Sequence, residues 1–426
     1  MSSGRRQFLK RAGLAVAAGS AVSVLPGQSG AMDKRSAGML SSMVDDAVPI
    51  SVKERVARIN RAQALMRKHA IDAVLLEPGA AMEYFTGIRW WRSERLVAVV
   101  IPRTGDLAVV TPFFEEPSVR ESMTIGDDVR TWHEHEDPFE RVKGILNDRG
   151  LRSGVIGLEA TVRYFVVDGL RRSASGFAVD SALPVTLGCR MYKTPAEIAL
   201  MKMASEVTWH AYRHVYDQLD KGMSHEDVKS LMTSAQTELG GSRPWSMALF
   251  GPASAYPHGT GQSYEIAEGS LILMDCGCAV HGYQSDISRT FVFGEPSKRQ
   301  REVWNTVRKG QQVAFDAASV GTPAGKVDDA VRAYYESVGY GPDYKTPGLS
   351  HRTGHGIGME GHEPINFVRG EKTPLAPGMC LSNEPGIYIF GEFGVRIEDC
   401  LYITKDGPRW FTTPPVSLDE PLGGVG

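Results

Sequence analysis

The sequence predicts an α+β chain of two unlike halves that meet near residues 187–190. Three observations carry this. Between residues 51 and 187, helical and strand-like apolar patterns alternate, as in an α/β layer. From residue 188 to the end, two helices come first, and after Leu271 the pattern is mainly antiparallel strand. Finally, 426 residues with 42% hydrophobic side chains are too many for one ordinary core and suit two or three compact units.

The N-terminus stands apart from both halves. Residues 1–31 read as a twin-arginine export signal: Arg5-Arg6-Gln7-Phe8-Leu9-Lys10, a weakly apolar Ala-rich stretch, then the small residues Ser29-Gly30-Ala31. The apolar stretch is far short of the roughly 20 residues of a membrane span. No Cys follows it to take a lipid, so no membrane anchor is expected. The expected location is the periplasm. Residues 32–50, polar with scattered Met, read as a tether.

In the first half, 52–69 repeats apolar residues at helical spacing, and 71–76, 96–101, 107–111 and 155–158 are strand candidates, with a helix at 162–173. There is no G-x-G-x-x-G or P-loop, so this half is assigned no cofactor. In the second half, Thr194-Pro195-Ala196-Glu197 opens a helix with Thr as N-cap and Pro in the first turn. Further helices are expected at 225–239, 299–318 and 327–338. The formal charge of −3, with both signs interspersed and no basic stripe, argues against nucleic acid as a partner. Of the five cysteines, Cys276, Cys278, Cys380 and Cys400 lie in apolar strand-like segments, where a small buried hydrophobe is the expected role.

Four acids are out of place in those segments. Asp275 and Asp286 lie in LILMDCGCAVHGYQSDISRTFVF, Glu384 and Glu398 in CLSNEPGIYIFGEFGVRIEDCLYI. Each segment reads as two apolar strands joined by a Gly-containing turn, with an acid embedded in each strand. Paired antiparallel strands bring such acids side by side. Buried carboxylates among Leu, Ile and Val are costly unless positive charge neutralises them. Four carboxylates balance two divalent ions. His355, in the Gly-rich loop HRTGHGIGMEGHEP, adds an imidazole. This donor set suits Mn, Co, Fe or Zn and argues against a structural zinc site, which would favour Cys.

The order Asp-Asp-His-Glu-Glu, in the settings MDCG, YQSDISRT, RTGHGIG, NEPGIYI and VRIEDC, resembles the pita-bread metallopeptidases: aminopeptidase P, prolidase and creatinase. The resemblance covers nearly the whole chain after the export signal and implies a creatinase-like α/β N-terminal domain before a pita-bread catalytic domain. It implies two divalent ions per subunit, with Mn the first expectation, held by Asp275, Asp286, His355, Glu384 and Glu398. Asp275 would bind one ion through both oxygens, and Asp286 and Glu398 would bridge. His258 in AYPHGTG and His362 in MEGHEP would contact the scissile carbonyl or developing oxyanion. His351 would line the Pro side, and Arg396 corresponds to the family's arginine near the metal-binding glutamate. The surroundings of His258 depart from the common pattern of prolidases and aminopeptidases P, and lie closer to a group of bacterial Xaa-Pro dipeptidases.

The implied activity is hydrolysis of Xaa-Pro bonds by a metal-bridging hydroxide, with Glu384 as proton shuttle. A longer-peptide Xaa-Pro aminopeptidase and a hydrolase of a non-peptide amide are the alternatives. A dipeptidase needs a group to capture the free carboxylate, for which Arg289 and Arg369 are candidates. A homodimer is also implied, with Trp90-Trp91-Arg92 either shielding a neighbour's cleft or packed as core.

Overall fold

A computed structural model describes residues 40–425. The expected export signal and the first part of the expected tether lie outside the described residues. Residues 40–50 are not a free tether. Met43 donates its backbone N–H to Leu239 O at 3.0 Å, and Leu40, Met43, Val44 and Ala47 pack against the cores of the fold. Removing those apolar side chains from water outweighs leaving them on a solvated linker.

The first half is built on a six-stranded sheet of order β4-β3-β2-β1-β5-β6. Its strands are β1 (Ala73–Leu76), β2 (Ala98–Pro102), β3 (Ala108–Pro112), β4 (Val129–Trp132), β5 (Gly154–Leu158) and β6 (Phe177–Ser181). The pairs β1/β2 and β2/β3 are antiparallel, and the others are parallel. Helices α1 (Val52–Lys68), α2 (Ala80–Thr86), α3 (Glu116–Ser122), α4 (Pro138–Asp148), α5 (Tyr164–Ser173) and α6 (Leu183–Arg190) complete it. β1, β2 and β3 are buried at every position because helices cover both faces. Val74, Leu76 and Val99 share a core with Ile59 and Met66 of α1, whereas Leu75, Val100 and Val110 share one with Val142 of α4 and Leu170 of α5. The sequence reading missed β4 and β6. Both are edge strands with mostly part-exposed residues, which blunts their apolar pattern.

The second half begins with α7 (Pro195–Tyr216) and α8 (His225–Glu238), and later adds α9 (Lys298–Ala317) and α10 (Ala324–Ser337). Three of the four start with a reciprocal capping box: Thr194 with Glu197, Ser224 with Asp227, and Ser297 with Gln300. Each satisfies two orphan N–H groups, and the cap residue alone is worth about 1 kcal/mol. One sheet has the order β10-β8-β7, with β7 (Ser242–Phe250), β8 (Leu271–Val280), β9 (Tyr283–Gln284) paired to β8, and β10 (Ile287–Val292). A second has the order β12-β11-β13-β16-β17, formed by β11 (Gly354–Gly356), β12 (Glu363–Phe367), β13 (Cys380–Asn383), β16 (Asp399–Thr404) and β17 (Gly407–Trp410). A ribbon of β14 (Gly386–Ile389) and β15 (Phe393–Arg396) lies between β13 and β16 in the chain.

Each sheet is backed by a helix pair. Tyr212 of α7 and Met232 of α8 bury against Met274, Cys276 and Cys278, while Trp304 of α9 and Val331 of α10 bury against Phe367, Leu381 and Leu401. All five cysteines are buried and unpaired. No described helix is long and apolar enough to cross a membrane.

Candidate metal centre

Strand alternation explains the placement of Asp275. Ile272, Met274, Cys276 and Cys278 of β8 enter the core under α7 and α8, so Asp275 faces the other way. Across the ladders it stands opposite Ser288 and Met247. β8 returns through His281-Gly282, both at positive φ (45° and 89°), the conformation of a two-residue type I′ hairpin turn.

The other three acids do not lie inside strands, contrary to the sequence reading. Asp286 sits between β9 and β10, Glu384 just after β13, and Glu398 just before β16. At these points strands change partners. Glu384 N–H donates to Thr353 O at 2.9 Å, and Glu398 N–H to Ser288 O at 3.0 Å. Pro385 has no N–H with which to continue its ladder. The breaks thus hold these acids where the two sheets meet.

His355, on β11, completes the cluster. Its Nδ1 lies 3.1 Å from Gly356 O, which fixes the tautomer with Nδ1–H donating and Nε2 free. That Nε2 is 3.3 Å from Glu384 Oε1, 3.6 Å from Asp286 Oδ2 and 4.0 Å from Glu398 Oε1. Burial, and then the neighbouring His362, push its pKa well below the usual histidine range, so it is neutral. Arg396 braces the acids from behind: Nη2 donates to Asp275 Oδ2 (2.8 Å) and Nε to Ser288 Oγ (2.9 Å), which in turn donates to Glu398 Oε2 (2.8 Å).

One guanidinium does not neutralise four acids. Burial, followed by Glu398, Asp275 and Glu384, raises Asp286 well above the usual carboxylate range. Burial and Glu384 do the same to Glu398, and burial brings Glu384 to about 7 against the pull of Arg396. Asp275 Oδ1, Asp286 Oδ1 and Glu398 Oε1 are buried with no hydrogen-bond partner among the described residues. Orphaned buried carboxylate oxygens beside a free imidazole nitrogen are what a divalent cation site requires. Ligand atoms of Asp286, His355 and Glu398 already lie within 4.8 Å of one another.

These residues line a cavity of about 730 Å³ that also meets His258, His351, His362 and Arg396. His258 and His362 are exposed at it. His351 has both nitrogens engaged, Nδ1 with Arg352 O and Nε2 with Tyr388 OH, each at 2.7 Å. Tyr388 OH also accepts from Arg396 Nη1 at 3.1 Å. Burial, and then Arg396, push the His351 pKa down to about 3, leaving it a neutral, braced wall residue.

A family model for metallopeptidase family M24 matches residues 199–405, and one for the creatinase/prolidase N-terminal domain matches 58–192. A Xaa-Pro dipeptidase of Lactobacillus delbrueckii subsp. lactis is 30% identical over 360 residues, covering 83% of this chain and 96% of that protein. The chain belongs to the M24 metallopeptidase family. The crystal structure of a dipeptidase from Pyrococcus horikoshii matches this M24 peptidase with TM-score 0.76 at 28% identity, over 84% of this chain and 98% of that one. The dipeptidase PepE from Mycobacterium ulcerans matches with TM-score 0.80 at 29% identity, over 86% and 98%. The creatinase-like N-terminal and pita-bread architecture is therefore the one seen in these solved dipeptidases. The two family matches meet between residues 192 and 199, and α6 runs through the expected boundary at 187–190.

Two sequence candidates in this M24 peptidase fall outside the cavity. Arg289 is fully buried in structural bonds, to Asp399 Oδ1 (2.7 Å), Glu398 O (2.7 Å) and Leu422 O (2.9 Å). Arg369 is spent on Asp343 and Asp329 at the surface. The cavity's unforeseen residues include Arg352, Trp245 and Met247. Arg352 adjoins His351 in sequence, a cue available from the start. Trp245 and Met247 share one face of β7, a strand that the sequence reading did not place. Trp91 is 62% exposed and stacked on Trp90 at 4.7 Å, so it is not packed core.

Proposed function

We propose that this M24 peptidase is a Xaa-Pro dipeptidase dependent on two divalent ions. The observation that carries the reading is the convergence of His355 Nε2 and three unpartnered carboxylate oxygens in one cavity with an arginine free to bind a carboxylate. Arg352 spends Nη1 on Asn366 Oδ1 at 3.0 Å, and no other hydrogen bond engages its guanidinium among the described residues. It replaces Arg289 and Arg369 as the group to hold the C-terminal carboxylate of a dipeptide, for which a guanidinium fork is suited.

Asp275, Asp286, His355, Glu384 and Glu398 would hold the ions, with Mn the first expectation and Co, Zn or Fe the alternatives. The chemistry that divalent ions supply when bound is acidification of water and polarisation of a carbonyl. Glu384 would accept the proton released on attack and carry it to the proline nitrogen, which must be protonated to leave. His258 and His362 would stabilise charge growing on the carbonyl oxygen. His351, held by Tyr388, would wall the proline side, and Trp245 and Met247 offer an apolar surface to the substrate.

A second reading, an Xaa-Pro aminopeptidase, is favoured by the exposure of His258 and His362, which leaves room for a longer chain. Assays of the Mn-loaded protein on Ala-Pro, Ala-Pro-Ala and a longer Xaa-Pro peptide separate the two. Turnover of Ala-Pro alone supports the dipeptidase, preference for the longer peptides supports the aminopeptidase, and turnover of none rejects both.

We also propose export by the twin-arginine route, from Arg5-Arg6 and the apolar stretch behind them. Residues 1–40 fused to a folded reporter should direct it to the periplasm, and changing both arginines to Lys should abolish this. The proposed homodimer rests on the exposed Trp91 and is tested by light scattering of the purified protein.

A further inference from the structure

His362 is a surface residue in the loop between β11 and β12, yet its ring meets that of His355 edge-on, with centroids 4.2 Å apart and planes at 75°. His362 also borders a second cavity of about 170 Å³, together with Glu159, Leu183, Arg190 and Glu363. The fixed point is the next residue. Glu363 is buried, and its carboxylate accepts from Arg190 Nη2 (2.5 Å), Lys193 Nζ (2.9 Å), Met359 N–H (3.0 Å) and Glu360 N–H (3.3 Å). One carboxylate thereby ties the middle of the loop to the strand residue that follows it. Arg190 also holds Glu360, at 2.7 Å.

Both cations come from the seam between the halves: Arg190 ends α6, and Lys193 lies in the link to α7. The first half supplies no residue to the lining of the metal-centre cavity, which begins at Trp245. We infer that Arg190 and Lys193, acting through Glu363, are positioning residues for His362. The seam between the halves sets the place of a substrate-contacting histidine without itself lining the metal-centre cavity. This rests on the role given to His362 above.

The test is Glu363→Gln, which keeps the shape and removes the charge that gathers the loop. Displacing a substrate contact by about 1 Å costs on the order of 100-fold. We therefore expect kcat/KM on Ala-Pro to fall by about 10- to 100-fold. The amides of Met359 and Glu360 should exchange hydrogen faster than in the wild type. In a His362→Ala background, Glu363→Gln should cause no further loss of kcat/KM. Arg190→Lys keeps a charge but loses Nη2, the planar nitrogen that bonds both Glu360 and Glu363. It should show the same pattern, more weakly, and serves if Glu363→Gln does not fold.

Fully additive losses in the double variant, unchanged kcat/KM in Glu363→Gln, or no loss in His362→Ala would each overturn the inference. If the wild type cleaves no Xaa-Pro substrate, the functional reading fails by itself. Hydrogen exchange still decides the clamp in that case, and unaltered exchange at Met359 and Glu360 overturns it.

Discussion

Glu384 and Glu398 stand opposite each other in one long hairpin, at the point where its ladder opens. Asn383 pairs with Asp399 on one side of the opening and Gly386 with Arg396 on the other, so the count across it places the two glutamates face to face. Like charges directly opposite in a ladder are destabilising. Here burial raises both carboxyl groups, Glu384 adds to the rise of Glu398 and Asp275 to that of Glu384, and Glu398 Oε1 has no partner among the described residues. Such a pair fits the divalent-cation site that the family implies.

Metal loading should depend on these acids as a set. The protein loaded with Mn or Co and desalted should carry about two ions per chain by elemental analysis. Asp286→Ala or Glu398→Ala should lower that to about one or fewer and abolish turnover. A wild type that holds no metal would remove the whole reading.

The metal-free protein should lose stability as pH rises from about 6.5 through about 7, the value to which Glu384 is raised, and on towards the higher values of Asp286 and Glu398. Glu384, near 7, and Asp286 and Glu398, well above the usual range, hold their protons more tightly folded than unfolded. The native state therefore binds more protons across this window, and unfolding becomes easier as they leave. His351 and His355, depressed when folded, act in the opposite sense but only below the ordinary histidine value of 6.5. Metal should reverse the trend by favouring the ionised acids. Thermal melts across the window, with and without added Mn, measure both slopes.

Arg352→Met should raise KM for Ala-Pro by about 10- to 100-fold, the worth of a charge-assisted hydrogen bond of roughly 1.5–3 kcal/mol. The same substitution should leave Ala-Pro amide, which has no carboxylate, nearly unchanged. Equal effects on both substrates would take Arg352 out of substrate recognition.

Arg289→Met should act on stability and not on recognition. It strands Asp399 in a fully buried pair, at a cost of about 3–5 kcal/mol. Denaturant unfolding should show this loss, while KM of the folded enzyme for Ala-Pro stays at the wild-type value.

Much of the fold was legible because its signals are local. Helical spacing found α1, and the Thr194 cap, with Pro195 behind it, marked the start of α7. The apolar run around Asp275 marked its strand, but the same reading put all four acids inside strands and holds for Asp275 alone. The edge strands β4 and β6 carry weak patterns, and β7 was not placed, so Trp245 and Met247 were missed with it.

By itself the sequence named the candidate groups for the chemistry, five ligands, three histidines and Arg396, since residue types and their settings are written along the chain. Tertiary structure decided what each charged group is for. Arg289, Arg352 and Arg369 are chemically the same side chain. One is locked to Asp399 in the core, one faces the cavity, and one is spent on surface acids. The cost of burying a guanidinium and the partners within its reach are properties of the packed fold, and no local pattern encodes them.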